Sequence, residues 1–315
     1  MDKTMDTRMQ GNDAAMLNNP FDVIRSNRFS KVLPLLTAIV LLYSISIPFW
    51  GESSWMREVV EISCYFLYAM MWNLLAGYGG MVSIGQQAFL GFGGYIMLIL
   101  GNEAGVNPFV AIPLAAMATA LVAWPVSYLA FRLQGGYFAI GTWVIAEVFR
   151  LSFANMHWIG GGSGTSLIAL REIEKAVRES ATYYIALACV LAVTFGVYLF
   201  LRSKRGLALL AIRDNEVAAS SQGIDVRRMK LAVYLIAAGG AGLAGALYFV
   251  SNLRISPDAA FSVNWSAFAI FMVVIGGIGR IEGPIVGALL FWMLNKFFSD
   301  YGSWYLVGLG LIAII

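Results

Sequence analysis

The chain has 315 residues, of which 59% are hydrophobic and only 12% are charged, and its net charge is +3. Soluble domains carry about 25% charged residues, so this composition excludes an ordinary water-soluble protein and indicates an integral membrane protein. The small net charge does not suggest a nucleic-acid partner. The sequence has no GxxxxGK[ST] pattern for binding ATP, and the lone Cys64, Cys189 and His157 do not predict a metal site.

The chain starts with a polar segment, residues 1–31, which carries Lys3, Arg8, Arg25, Arg28 and Lys31. The apolar run that follows, 32–50, has 19 uncharged residues, close to the roughly 20 that cross a bilayer core. Because this run begins late and is long enough to span, we expect a polar tail rather than a cleaved signal peptide.

Hydropathy predicts an all-α integral membrane protein with about ten transmembrane or partly inserted helices. The candidate segments are 32–50, 58–77, 86–100, 108–131, 136–156, 182–201, 229–250, 262–279, 284–299 and 303–315. Two of them are weak, because 86–100 is short and interrupted by glycines and 303–315 has only 13 residues. The predicted domains are therefore the tail and a transmembrane domain over 32–315.

Basic residues predict the orientation of these segments, since positive charge concentrates in cytoplasmic loops. The basic tail places the N-terminus in the cytoplasm. Counting crossings then puts Arg132 inside, the glycine-rich stretch 160–166 outside and the loop 202–228 inside. That loop and its edge hold the densest basic cluster, which is Arg202, Lys204, Arg205, Arg213, Arg227, Arg228 and Lys230, so charge and count agree.

Residues 77–95 are rich in glycine and contain neutral hydrogen-bonding side chains. Transporters place short, glycine-interrupted segments where helix ends face the substrate, which predicts that this stretch lines a translocation path. The candidate path residues are Ser83, Gly85, Gln86, Gln87, Gly91 and Gly93. Glycine also lets helices approach closely in lipid, so helix packing is an equally simple interpretation for the cluster.

Glu147 and Arg150 are charged residues within the predicted segment 136–156. Intramembrane charges are candidates for function, but these two are three positions apart and can satisfy each other. We expect a structural ion pair.

The sequence AAGGAGLAGALY, residues 237–248, contains three overlapping pairs of small residues spaced by four. Such pairs are typical of helix–helix seams in membranes. The seam faces either another helix of this chain or a second subunit.

The stretch RDNEVAASSQGID, residues 213–225, predicts a short capped helix of about two turns in water. Asp214 is a suitable N-cap, Glu216 suits the first turn, and Gly223 is a suitable stop. Ala211 with Ala218, and Ile212 with Ala219, would form a narrow strip of small residues. So short a helix is marginal alone in water, which indicates that it needs a partner, and the strip fits close docking into another protein. On spacing alone, a connector on the bilayer surface is an equally good interpretation.

Four stretches resemble LivM-type permeases of branched-chain amino acid ABC importers. They are NLLAGYGGMVSIGQQAFLGFGGY (73–95), GGYFAIGTWVIAEVFR (135–150), RGLALLAIRDNEVAASSQGIDVRRMKLAVY (205–234) and VVIGGIGRIEGPIVGALL (273–290). They occur in order, and Glu216, Ala218, Ala219 and Gly223 follow the "EAA" loop of importer permeases. Gln86–Gln87 departs from the His-Ala that many members carry there.

This resemblance implies a non-catalytic translocation subunit in a bacterial inner membrane. The short helix, with Arg213, Asp214, Asn215, Glu216, Ala218, Ala219 and Gly223, would couple to an ATPase. The implied partners are a second permease of LivH type, two ATPase subunits that bind ATP and magnesium, and a periplasmic substrate-binding protein. No cofactor is expected in this chain, and the substrates would be leucine, isoleucine and valine, with urea, amides or other amino acids as alternatives.

A different class of function is a proton-coupled secondary transporter that uses Glu147 as carrier. A self-sufficient carrier has no need for a capped cytoplasmic helix, which favours the ABC importer. A membrane-embedded enzyme fits less well, because the predicted spans lack clustered His, Asp or Glu for acid–base chemistry.

Overall fold

A computed structural model describes residues 43–171, 173–298, 308 and 310. The chain divides into two units, Met1–Trp50 and Gly51–Ile315. In the first unit residues 43–50 are helical, and the Ser46 hydroxyl donates to the Tyr43 carbonyl while it accepts from the Trp50 indole. The predicted tail 1–31, most of segment 32–50 and nearly all of segment 303–315 lie outside the described residues.

The second unit is built almost entirely from helices. They are α1 (Ser53–Asn73), continued by a π-helical turn (Leu74–Tyr78), α2 (Gln87–Asn102), α3 (Pro108–Ala130), α4 (Gly136–Ala154), α5 (Lys175–Arg202), α6 (Lys204–Asp214), α7 (Glu216–Ser221), α8 (Val226–Asn252), α9 (Pro257–Ala260), α10 (Asn264–Gly276) and α11 (Gly283–Phe298). Short 3₁₀ turns cover 157–159, 161–163 and 168–170, and the two-residue strands β1 (Thr165–Ser166) and β2 (Arg254–Ile255) pair antiparallel.

The helical fold predicted from hydropathy is confirmed, and eight of the ten predicted segments coincide with described helices. Among the described residues, six helical stretches are long and apolar enough to cross a membrane, and α2 and α11 are shorter apolar helices. The prediction placed the start of α5 at residue 182, whereas the helix begins at Lys175. Charged residues open this helix, so an apolar window misses its first turns.

The core of the second unit is formed by α1 and α8. The apolar window of α1 is 83% buried and that of α8 is 72% buried, whereas that of α5 is only 11% buried. Large apolar side chains on the outer helices stay exposed, including Met117, Leu121 and Phe195. This distribution fits a multi-pass membrane protein whose outer helices contact an apolar surrounding.

The small-residue seam of α8 packs against three helices of this chain. A Cβ added to Gly240 would lie 2.2 Å from Sδ of Met71 on α1, and one added to Gly242 would lie 2.4 Å from Oγ1 of Thr119 on α3. One added to Gly245 would lie 1.9 Å from the Leu90 carbonyl oxygen on α2. The seam prediction is confirmed, with partners inside this chain.

Two long helices are each followed by an irregular segment and then by a shorter helix. The π-helical turn of α1 leads into residues 79–86 and then α2, while α8 leads through 253–263 into α10. The first of these segments meets α10 in the interior, where the Ser266 hydroxyl lies 2.9 Å from the Ile84 carbonyl oxygen. Non-helical backbone inside a membrane protein occurs where it is buried in protein or lines a cavity.

The contacts of the helix ends define two ends of the bundle. At one end Asn73 donates to the Arg280 carbonyl at 2.8 Å, and the loop containing α6 and α7 lies nearby. At the other end Lys296 pairs with Glu58 at 2.7 Å, and Asn102 donates to the Ser166 carbonyl. The grouping matches the count of crossings, which assigns these two sets of residues to opposite sides.

Candidate functional site

The loop between α5 and α8 carries two short helices joined by one extended residue. The Ser203 side chain caps α6 by accepting from the N–H groups of Arg205 and Gly206. Asn215, with φ −157° and ψ 106°, caps α7 by accepting from the Ala218 N–H at 3.0 Å. The prediction that Asp214 is the N-cap is therefore wrong: Asp214 ends α6, and its carboxylate pairs with Arg213 at 3.2 Å. Asp and Asn are both good N-cap residues, and the non-helical residue that separates α6 from α7 lies one position later than predicted.

The start and the stop of α7 otherwise follow the prediction. Glu216 occupies the first turn of the helix and pairs with Lys230 of α8. Gly223 has φ +82°, and its N–H donates to the Ser220 carbonyl at 2.9 Å. A left-handed glycine just past a helix satisfies its last carbonyls. The six-residue helix is thus closed at both ends and tied to α8.

The two faces of α7 differ sharply in exposure. Ala219 is 2% exposed and packs into the chain, as does Ile212 of α6, whereas Val217 is 76% exposed and Ala218 is also exposed. The predicted strip through Ala211, Ala218, Ile212 and Ala219 does not exist as one face, because the break at Asn215 puts its members on two helices. The exposed face of α7 is that of Val217 and Ala218.

The Arg213 side chain is 39% exposed and reaches back to the end of α1. Its Nη1 donates to the Gly77 carbonyl at 2.9 Å, at the end of the π-helical turn of α1. The sequence predicted only that Arg213 belongs to the short-helix stretch. Arg213 and Gly77 are 136 positions apart, so no local sequence pattern predicts their contact. The sequence does show a basic residue at position 213 and glycines at 77, 79 and 80.

Ser83, Gln86 and Gln87 are brought together where residues 79–86 lead into α2 and meet Ser266 of α10. They are 2%, 1% and 1% exposed. Gln86 Nε2 donates to the Ala237 carbonyl at 3.3 Å, Gln87 Oε1 accepts from the Ser266 hydroxyl, and the Ser83 carbonyl accepts from the Trp72 indole. Gln86 Oε1 and Gln87 Nε2 have no hydrogen-bond partner within the described residues. We call Ser83, Gln86, Gln87 and Ser266 the polar joint.

The glycines near the polar joint lie in close helix contacts. A Cβ on Gly85 would lie 1.8 Å from the Thr142 carbonyl oxygen of α4, and one on Gly93 would lie 2.2 Å from the Gly242 carbonyl oxygen of α8. One on Gly91 would meet the Phe261 ring at 2.5 Å. Packing therefore accounts for the absence of side chains at these three positions, and in this conformation they do not face open space.

The predicted pair of Glu147 and Arg150 forms on α4. Arg150 Nε donates to both carboxylate oxygens of Glu147, at 2.9 and 3.0 Å, and Arg150 Nη1 donates to Asp258 of α9 at 2.6 Å. The Arg150 side chain is 29% exposed and that of Asp258 is 75% exposed. Both planar edges of the guanidinium are occupied, so the group links α4 to α9.

A cavity of about 1340 Å³ opens beside α7, between the end of α3, the start of α4 and the start of α8. Its charged lining residues are Arg132, Glu216, Asp225, Arg227, Arg228 and Lys230. Arg227 also stacks over the Tyr128 ring, 5.6 Å from its centre. In the part of the chain that the structure describes, no three His, Cys, Asp or Glu side chains converge on a point that could hold a metal ion.

Comparison with known proteins identifies relatives over most of this length. Residues 57–315 match the family model of the branched-chain amino acid transport system permease component. The chain is 26% identical to the high-affinity branched-chain amino acid permease LivM of Escherichia coli, over 89% of this chain and 72% of that protein. It is 25% identical to a probable LivM of Methanocaldococcus jannaschii, over 75% of this chain and 79% of that protein. It is 23% identical to a probable LivH of the same organism, over 69% and 71%. No solved structure matches the chain.

Proposed function

Because the chain belongs to the family of branched-chain amino acid transport system permease components, we propose that it is the membrane-spanning permease subunit of an ATP-driven ABC importer. In this proposal it moves leucine, isoleucine and valine into the cytoplasm. It performs no catalysis, and separate ATPase subunits bind ATP and magnesium and hydrolyse ATP. No cofactor is assigned to this chain.

The observation that carries the proposal is the two-sided exposure of α7. Ala219 anchors the helix in the chain while Val217, at 76% exposure, projects from it. A six-residue helix with a side-chain cap at its start and a left-handed glycine after its end has a fixed shape before any partner arrives. Preorganisation of this kind reduces the entropic cost of docking, so α7 is suited to receive an ATPase subunit.

Orientation and partners follow from the same assignment. The loop 202–228 and Arg132 lie at one end of the bundle and carry its basic cluster, which favours placing that end and the N-terminus in the cytoplasm. The membrane is then a bacterial inner membrane. The proposed partners are a second permease of LivH type, two ATPase subunits and a periplasmic substrate-binding protein.

We assign the polar joint to the translocation step. In the described conformation Ser83, Gln86 and Gln87 are at most 2% exposed, so the joint is closed. Separation of residues 79–86 from Ser266 would expose Ser83, Gln86 and Gln87 to a passing substrate.

The contacts of Glu147 with Arg150 argue against the alternative that the protein is a proton-coupled transporter. A proton carrier must change protonation during the cycle, and Glu147 accepts three hydrogen bonds from Arg150. An opposite charge in direct contact stabilises the ionised carboxylate. The geometry therefore favours a structural ion pair.

Uptake of labelled leucine by cells that lack this gene, and by cells in which it is restored, tests the substrate. Isoleucine, valine, other amino acids and urea serve as competitors. We expect restored uptake that isoleucine and valine block and urea does not. Loss and restoration of urea uptake alone would reassign the substrate, and no change for any compound would contradict the proposed substrates.

A further inference from the structure

The backbone carbonyls at the end of α1, next to the loop that carries α6 and α7, accept a hydrogen bond from a positively charged side chain. Helical backbone in this stretch changes from α to π at Leu74 and ends at Tyr78. The carbonyls that end a helix lack intrahelical partners and carry partial negative charge. Arg213 meets this need by donating from Nη1 to the Gly77 carbonyl at 2.9 Å. Single π-helical turns inside longer helices occur often at functional sites.

The turn between α10 and α11 also contacts the end of α1. The Asn73 side chain accepts from the Gly279 N–H and donates to the Arg280 carbonyl, both at 2.8 Å. A Cβ added to Gly279 would lie 3.3 Å from Nη1 of Arg213 and 3.3 Å from the Gly77 carbonyl oxygen. The turn between α10 and α11 is therefore locked to the end of α1, and Arg213 lies against both.

The contacts at this position match the shape of an arginine side chain. Nη1 reaches Gly77, while Nε and Nη2 donate to Asp214 Oδ1 at 3.2 Å each. A guanidinium presents these donors in a fixed plane, whereas a lysine ammonium is a single point charge. Gly80, with φ +67°, leaves room for the stem, since a Cβ there would lie 3.3 Å from Cγ of Arg213.

We propose that Arg213 is a positioning residue that transmits movement of α6 and α7 to the end of α1 and the turn between α10 and α11. The inference rests on the proposed ABC function. α1 leads directly into residues 79–86, and α10 carries Ser266, so both elements joined by Arg213 also form the polar joint. A displacement of α7 by its ATPase thereby reaches both sides of the joint through one side chain.

The test uses the complete importer in proteoliposomes with its binding protein, and it measures substrate transported per ATP hydrolysed. Arg213→Gln removes both the positive charge and the planar set of guanidinium donors, whereas Arg213→Lys keeps only the charge. Arg205→Gln is the matched control: it removes a charge from the same helix, and its exposed side chain has no ion pair or hydrogen bond within the described residues.

We expect Arg213→Gln to keep ATP hydrolysis and to lower transport per ATP about tenfold, the factor that loss of one charged hydrogen bond corresponds to. Arg213→Lys should fall between this variant and the wild type, and Arg205→Gln should match the wild type. If the importer does not assemble with Arg213→Gln, the substrate transported per ATP by the Arg213→Lys importer tests the inference instead.

An unchanged ratio in an assembled Arg213 variant would overturn the inference, as would an equal fall in Arg205→Gln. In both cases ATP-driven uptake by the wild type would leave the proposed function intact. A wild-type importer that shows no ATP-driven uptake would instead contradict the proposed function, and this inference with it.

Discussion

The centre of α8 and the loop helix α7 are both rich in small residues, yet these residues do opposite things. In α8 each glycine of the seam lies against a neighbouring helix, and the surrounding window is 72% buried. In α7 Ala219 is buried and anchors the helix, whereas the preceding Ala218 is exposed. Small residues in the first region remove volume so that helices approach, whereas in the second they leave one face of a short helix exposed, the face that we propose docks on an ATPase subunit. Burial, rather than residue type, separates the two roles.

The largest expected effect comes from adding volume to the seam. In Gly245→Leu the new side chain would collide with the Leu90 carbonyl oxygen, because even a Cβ would lie 1.9 Å from it. Overpacking costs about 1–3 kcal/mol and sometimes more, so we expect loss of most monodisperse protein in detergent. Gly196→Leu on α5 is the control, since a Cβ there meets nothing within 4 Å. Equal yields for both variants would contradict the seam.

The next effect separates the two faces of α7. Ala219→Arg places a charge at a position that is 2% exposed, so we expect rapid proteolysis within the loop. Val217→Asp changes an exposed position and should leave the loop resistant while reducing co-purification of the ATPase subunits. Proteolysis and co-purification, measured on the same preparations, give the two results. Normal ATPase retention in Val217→Asp would return α7 to the role of a connector.

A smaller effect is expected at the polar joint, between the two regions. Gln86→Leu removes the donor to the Ala237 carbonyl and Gln87→Leu removes an acceptor of the Ser266 hydroxyl, and a buried group left without its partner costs about 1–3 kcal/mol. Labelled substrate uptake is therefore compared at equal expression, where it should fall severalfold. Uptake equal to the wild type at equal expression would reject the assignment of the joint to translocation.

The smallest effect concerns the cap of α7. Asn215→Ala removes the side chain that accepts from the Ala218 N–H, at a cost of about 1 kcal/mol to the helix. We expect faster amide hydrogen exchange in residues 216–221. Asp214→Ala is the matched control and should leave exchange unchanged, because Asp214 ends α6. Faster exchange in the control alone would place the cap where the sequence suggested it.

Local features of this fold could be predicted from the sequence, and long-range ones could not. Apolar length located eight of the described helices but not α6 or α9, whereas Gly223 and Glu216 marked the end and the first turn of α7. Asp214 and Asn215 have nearly the same capping chemistry, so only the backbone shows which one caps. The contacts of Arg213 with Gly77 and of Ser266 with Gln87 join residues 136 and 179 positions apart. They arise from packing, which no local pattern contains.

The most direct test of the account is the energy source of transport. The assembled importer is reconstituted in proteoliposomes, and leucine uptake is measured with ATP and no proton gradient, and then with a proton gradient and no ATP. The account predicts uptake only with ATP, and it predicts that Glu147→Gln retains ATP dependence. Uptake that follows the proton gradient and is lost in Glu147→Gln would contradict it.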